Sequence, residues 1–446
     1  MEYTVNTPCG PLRGAPSKTD GIIAYKGIRY ATAGRFEYPT EVTSWEGVYD
    51  ATEYGACAYQ YRAFVNEEEV PKKAFFYNEF RRGEIYTYSE DCLFLNVFTP
   101  EEGGEKLPVL VYIHGGSFTG GCGHEKHLDT PVWPKKGVIG VTLNYRLGPL
   151  GFAVLPELEA EAGKTGNYGL YDQLAAIKWV KHNIAAFGGD PDNITIMGQS
   201  AGAMSVQQHC LSPLSRGLFA RAVMCSGGGV SKMLSAKEPK HSFRFWKKIM
   251  AECGAETLED FRRVPVEELY RVWFENKKAN LGGGCSPCID GELVVGAGHK
   301  LLKRREQSHI PYMIGTTSQD FVPPILYSMA KQWCAAQDTP SYLWFFERAL
   351  PGDENGAWHT ADLWYWFGTL ESCWRPFTDR DRALAEEMTD RLIAFAKDGN
   401  PNSEGYAEWR PGAGSALAFG DTESVEKRPS TLALWKTMFT YKNPGE

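Results

Sequence analysis

A mostly parallel α/β sheet flanked by helices is the fold class this sequence predicts, on three observations. LPVLVYIHGG at 107–116 and GVIGVTLNYR at 137–146 are nearly continuous apolar runs. Such runs mark strands buried on both faces, the condition of a parallel sheet. Stretches with helical periodicity alternate with the strand-like ones, which is how parallel sheets are built. ITIMGQSAGAM at 194–204 sets a G-x-S-x-G turn between a short apolar strand and a helix.

Taken in order, residues 3–36 alternate apolar and polar around Gly and Pro, which predicts hairpins at a sheet edge. Residues 66–88 are polar, charged and aromatic and read as a surface loop, and EDCLFLNVFTP at 90–100 is a strand. A helix is expected at about 171–187, with Leu174, Ile177 and Ile184 on one face and Lys178, Lys181 and His182 elsewhere. FGGDP at 187–191 stops it before the strand that leads to the G-x-S-x-G turn. Further strands are expected at 222–229 and 309–317, and 235–278 is charged and helical in pattern. Residues 325–375 are dense in aromatics. A helix at 380–399 is ended by Gly399 and Pro401. There is no internal repeat and no low-complexity linker.

The 446 residues suffice for a large core. A net charge of −8 and a pI near 5.7 offer no basic surface for nucleic acid or an anionic membrane. The first residues lack the basic and apolar regions of a signal peptide. No apolar run approaches the ~20 residues that span a bilayer. The expected location is the cytoplasm. Eleven cysteines, an odd number scattered along a long chain, suit reduced buried thiols better than a disulfide framework. Asn193-Ile194-Thr195 matches a glycosylation sequon but leads into a buried strand.

Ser200, at the centre of Gly198-Gln199-Ser200-Ala201-Gly202, is the candidate nucleophile. The turn from strand to helix is tight, so the flanking positions need glycine. An activated serine needs a base and a group that orients the base, in the chain order Ser, acid, His for this kind of sheet. His209, His241, His299, His309 and His359 follow Ser200. His209 lies along the helix after the turn and points away, and His309 precedes a strand rather than following one. His241 and His299 leave less room for the order. His359, in GAWHTADL, is the best base. Asp320 lies three residues past the strand 309–317, where a sheet delivers catalytic groups. Asp290, in CIDGEL, is its rival, although Asp-Gly has a simple turn explanation. HGGSFTGGCG at 114–123 resembles a loop whose backbone N–H groups hold a developing oxyanion. His114 in that loop precedes the serine and reads as loop-stabilising.

The chain resembles the type-B carboxylesterases, the α/β-hydrolase family that also includes cholinesterases. The resemblance runs nearly the whole length. It is carried by SEDCLFLNV (89–97), HGGSF (114–118), NYRLGPLGF (144–152), GNYGLYDQ (166–173), FGGDPDNITIMGQSAGAMS (187–205), LFARAVMCSG (218–227), CIDGEL (288–293), IPYMIGTT (310–317) and AKDGNPN (396–402). It implies an α/β-hydrolase fold, carboxylic-ester hydrolysis and a triad of Ser200, Asp320 and His359. The oxyanion amides would be those of Gly116, Ser117 and Ala201, with Ser226 near the histidine. Phe118 in HGGSF and Trp358 beside His359 are candidates to touch substrate. No cofactor or metal is implied, since Cys285-Ser286-Pro287-Cys288 lacks a second ligand pair. The implied partner is a small-molecule ester.

Four positions depart from the family pattern. The acid is Asp rather than Glu, Ser117 replaces Gly or Ala, and Arg29 replaces Pro. His359 follows Asp320 by only 39 positions, a much shorter stretch than in relatives, which predicts a more open site. Cys57 and Cys92 match a disulfide pair of secreted relatives and are expected to be reduced here, though close together. The expectation is one domain over 1–446, with a reduced helical cap from about 231–285 and 321–376. The competing readings are a non-catalytic adhesion-type binding protein, and an amidase or lipase on the same machinery.

Overall fold

The apolar runs form the centre of a 13-stranded mixed sheet. This computed structural model describes residues 3–129, 131–279, 284–442 and 444. Along one path lie β1 (Tyr3–Thr7), β2 (Gly10–Pro16), β3 (Ile22–Arg29), β4 (Phe94–Pro100), β5 (Leu107–Ile113) and β6 (Ile139–Leu143). They are followed by β7 (Gly189–Gln199), β8 (Arg221–Cys225), β9 (Tyr312–Thr317), β10 (Ser341–Phe346), β11 (Ala416–Phe419) and β12 (Val425–Lys427). The spatial order is β1-β2-β3-β4-β6-β5-β7-β8-β9-β10-β11-β12, and Tyr49–Asp50 pairs beside β2. The strands from β6 to β11 in that order are parallel to one another. β1 to β4 extend one edge antiparallel, and β12 does so at the other.

The chain places β6 on one side of β5 and every later parallel strand on the other. Crossovers diverge there, which opens a crevice beyond the C-terminal ends of β5 and β7. β5 shows why its run is apolar throughout. Val109, Val111 and Ile113 enter the core on one face of the sheet, and Leu110 and Tyr112 enter the core on the other. Successive side chains alternate faces and both faces are covered. Each such Val, Leu or Ile contributes roughly 1.5–3 kcal/mol on burial.

The expected helix after β6 runs over Tyr168–Asn183 and tightens into a 3₁₀ turn at Ile184–Phe187. The helix Asp379–Asp398 begins on a capping box of Thr378 and Asp381 and ends on Gly399 at φ +85°, as its sequence signals require. Residues 66–88 do not form a simple surface loop, because they contain the helix Pro71–Phe80. Its inward face carries Glu79, which is buried and ion-paired to Arg375 at 2.9 Å. A buried charge interrupts the apolar stripe by which a helix is recognised. The aromatic stretch 325–375 holds β10, whose six residues are all buried. No described helix is long and apolar enough to cross a membrane.

Candidate active site

Ser200 follows β7 directly and caps the helix Ala201–Leu211. Its backbone stands at φ 55°, ψ −121°, a strained conformation for a residue with a side chain. It is held by a hydrogen bond from Ser200 N–H to the Cys225 carbonyl at 2.9 Å. The flanking glycines are required by contact. A Cβ on Gly198 would lie 2.4 Å from the Gly202 carbonyl, and one on Gly202 would lie 2.0 Å from the Ile113 carbonyl. Strand, turn and helix are therefore pressed together, and the serine is pushed out into a cavity of about 280 Å³ that His359 also lines.

Asp320 follows β9 and His359 follows β10, both at the C-terminal edge of the sheet. His359 Nδ1 lies 2.5 Å from Asp320 Oδ1. The same oxygen accepts from the Phe321 N–H at 2.9 Å, and Oδ2 accepts from the Thr317 N–H at 3.4 Å. Burial opposes ionisation of Asp320. The His359 charge and hydrogen bond, the Ser226 hydroxyl and the Phe321 amide outweigh it and hold the carboxyl below its usual range. Gln199 Nε2 sits 3.1 Å from His359 Nε2. A Gln amide donating there leaves Nδ1 to carry the proton towards Asp320, the tautomer a general base needs.

The other sequence candidates are engaged elsewhere. Asp290 Oδ1 accepts from the N–H groups of Glu292, Leu293 and Val294, which makes it a turn residue. His209 is buried between Ser215 and Gln173. His309 faces Asp338, and His299 faces Ser235. His114 is buried, and its Nδ1 lies 2.8 Å from its neighbour's carbonyl at Gly115. Burial pushes its pKa down to about 4, so it is a neutral brace.

The loop after β5 lies against the elbow. A Cβ on Gly115 would stand 2.6 Å from the Gln199 carbonyl and 3.1 Å from Ser200 Cβ. Gly116, Ser117 and Phe118 take φ values of +105°, +56° and +59° in succession. Successive N–H groups in such turns form concavities that bind anions. The Gly116 carbonyl accepts from Thr119 and Gly120, closing the loop.

The sequence profile of the Carboxylesterase family matches residues 1–339 and 325–431. The chain belongs to the carboxylesterase family. It is 29% identical to the para-nitrobenzyl esterase of Bacillus subtilis over 90% of its own length and 91% of that protein. It is 34% identical to the rat (Rattus norvegicus) bile salt-activated lipase over 68% of its length, and the match covers 44% of that larger protein. A solved structure of a PNB esterase superposes with a TM-score of 0.83 and 27% identity, covering 98% of this chain and 100% of that one. The fold is thus the α/β-hydrolase fold, and the chain is a carboxylic-ester hydrolase.

Two expected substrate contacts of this esterase lie away from the cavity lining. Trp358 does not line the cavity. It is fully buried against Phe75 and Phe80. Trp358 forms an isolated β-bridge to Gln319, and the chain turns directly after it. With His359 in the cavity, Trp358 is turned into the core. Phe118 is also core, packed 5.0 Å from the Phe152 ring. Phe321 does line the cavity, is 39% exposed and lies 4.3 Å from the His359 ring. Nothing in its sequence position separated it from the other aromatics. Cys57 and Cys92 are both free thiols. Cys57 does not pair with Cys92. Its thiol lies 3.5 Å from His124 Nε2.

Asp362 of the esterase was not legible as a titrating group. It is fully buried, with one oxygen accepting from Trp366 Nε1 at 3.2 Å. Burial, followed by the charge of Asp320, pushes its pKa up to about 7. The folded state therefore holds a proton that the unfolded chain releases above its ordinary value of 3.8. Stability from this group is present at low pH and is lost as pH rises through that window to about 7. The ceiling is on the order of 4 kcal/mol. Asp362→Asn should raise the thermal midpoint relative to the parent by more at pH 8 than at pH 5. Equal gains at both pH values would remove Asp362 as the group responsible.

Proposed function

We propose that Ser200 is the nucleophile, His359 the base and Asp320 the orienting acid of ester hydrolysis. His359 Nε2 takes the hydroxyl proton as Ser200 Oγ bonds to the carbonyl carbon. The amides of Gly116, Ser117 and Ala201 hold the resulting oxyanion. The tetrahedral species collapses, the ester C–O bond breaks, and His359 returns the proton to the leaving alkoxide. Water then repeats the sequence on the acyl-serine. Asp320 fixes the imidazole tautomer and stabilises the imidazolium, with Ser226 supporting it. The observation that carries this reading is the 2.5 Å contact between His359 and Asp320 behind a cavity that Ser200 and His359 both line.

The oxyanion role of Gly116 has a direct test. A Cβ there would lie 2.1 Å from the Gly120 carbonyl on a backbone at φ +105°. Gly116→Ala is expected to displace the loop amides and lower kcat by about 10²–10³ with little change in KM. An unchanged kcat would remove this amide from the hole.

The substrates are esters of small to medium acyl groups or of aromatic alcohols. The cavity of about 280 Å³ and its lining by Phe76, Phe80, Trp273 and Phe321 support this, as does the likeness to an esterase named for para-nitrobenzyl esters. Residues 1–446 are read as one catalytic domain with a cap from about 231–285 and 321–376. Trp273 and Lys277 from the first segment, and Phe321 and Leu363 from the second, line the cavity. An odd number of scattered cysteines, with Cys57 and Cys92 both free, supports a reducing compartment such as the cytoplasm. The test is a pre-steady-state series of 4-nitrophenyl esters from acetate to palmitate. The expected result is one equivalent of nitrophenolate in a burst, with kcat/KM highest for short acyl chains. Preference for long chains at an oil interface would overturn the short-ester reading.

A further inference from the structure

Cys57, Cys122 and His124 place one ligand atom each within 4.8 Å of one another. Cys57 lies on the short strand Cys57–Ala58. Cys122 and His124 follow the oxyanion glycines, so chain segments 65 positions apart meet at one point. The separation of Cys57 Sγ and His124 Nε2 is 3.5 Å. A sulfur at about 2.3 Å and a nitrogen at about 2.0–2.1 Å from a tetrahedral ion are themselves about 3.5 Å apart. Both thiols are buried, and the His124 ring is stacked on Tyr54 at 4.5 Å and 9°, which fixes its plane.

Charged groups surround the cluster. The Arg62 guanidinium stands near both sulfurs. Its own charge is met by Glu125 at 2.7 Å, which also takes Arg81 at 3.2 Å. Two thiolates and one divalent ion sum to zero, so an ion here adds no uncompensated buried charge.

We propose that Cys57, Cys122 and His124 form a binding site for one Zn²⁺ ion, with water in the fourth position. Binding forms two Zn–S bonds and one Zn–N bond and releases the two thiol protons to solvent. The ion ties the Cys57 strand to the end of the oxyanion loop. Gln60 already joins these segments through two hydrogen bonds of 2.9 Å with the Gly121 backbone. The competing fate is a Cys57–Cys122 disulfide, in which two electrons and two protons pass to an oxidant.

The test titrates the whole chain, reduced with a phosphine and stripped with a chelator, with Co²⁺ under argon. One equivalent should produce thiolate-to-cobalt charge transfer and tetrahedral d–d bands. Zn²⁺ should bleach both and raise the thermal midpoint. Cys57→Ser and Cys122→Ser should each weaken binding by more than about 100-fold, beyond the effect of an outer-shell change. Cys253→Ser should keep both band sets. The wild-type titration stands even if a variant fails to fold. Absence of charge transfer in the reduced wild type, or its loss in Cys253→Ser alone, would overturn the site. So would a Cys57–Cys122 disulfide whose reduction restores no metal uptake.

Discussion

Replacing Ser200 by alanine is expected to lower kcat for a 4-nitrophenyl ester by about 10⁶-fold while leaving the far-ultraviolet spectrum and thermal midpoint unchanged. Both halves follow from the elbow. The hydroxyl is the only part of the side chain that the proposed reaction uses. The backbone strain at φ 55° is retained by alanine, and the contacts that enforce the turn belong to Gly198 and Gly202. The oxyanion loop and cavity survive the substitution and leave a residual rate above water of about 10³–10⁴. A variant that kept a hundredth of the parental kcat with intact folding would mean that another group attacks the ester.

Asp320→Asn is expected to lower kcat by about 10⁴ with KM nearly unchanged. The buried carboxylate has its two oxygens committed to His359, the Phe321 amide and the Thr317 amide. An asparagine that keeps its oxygen towards His359 preserves the tautomer but removes the negative charge that stabilises the imidazolium. One that turns its NH₂ towards His359 meets the Phe321 N–H and demands the wrong tautomer. Either arrangement slows the chemical step rather than substrate binding. Asp290→Asn should instead lower stability and leave kcat in place, because Asp290 caps a turn. Steady-state kinetics of the two variants at several pH values distinguishes a role in the reaction from a structural one.

The parts of the fold around the site that rest on local chemistry were legible in the sequence. Gly198 and Gly202 are dictated by a turn of five residues, and β5 and β6 by runs buried on both faces. Asp320 and His359 came from chain order and from the rule that strands deliver functional groups at their C-terminal ends. The illegible parts depend on partners distant in the chain. The helix Pro71–Phe80 is held by a buried Glu79–Arg375 ion pair, and its sequence shows no stripe. Asp362 titrates near neutrality because of what surrounds it. Trp358 and Phe321 differ in exposure although both flank the predicted triad, because Trp358 packs against Phe75 and Phe80 while Phe321 stands over the His359 ring at the cavity. Cys57, Cys122 and His124 carry no spacing motif and meet only in the fold.

The proposal that Ser200 is the nucleophile can be tested with a 4-nitrophenyl phosphonate and peptide mass mapping. One equivalent of nitrophenolate and one phosphonyl group per chain are expected, the latter on the peptide that contains Ser200. Ser200→Ala should carry no adduct on that peptide. A phosphonyl group on any other residue, or ester turnover that continues undiminished in the fully modified protein, would contradict it.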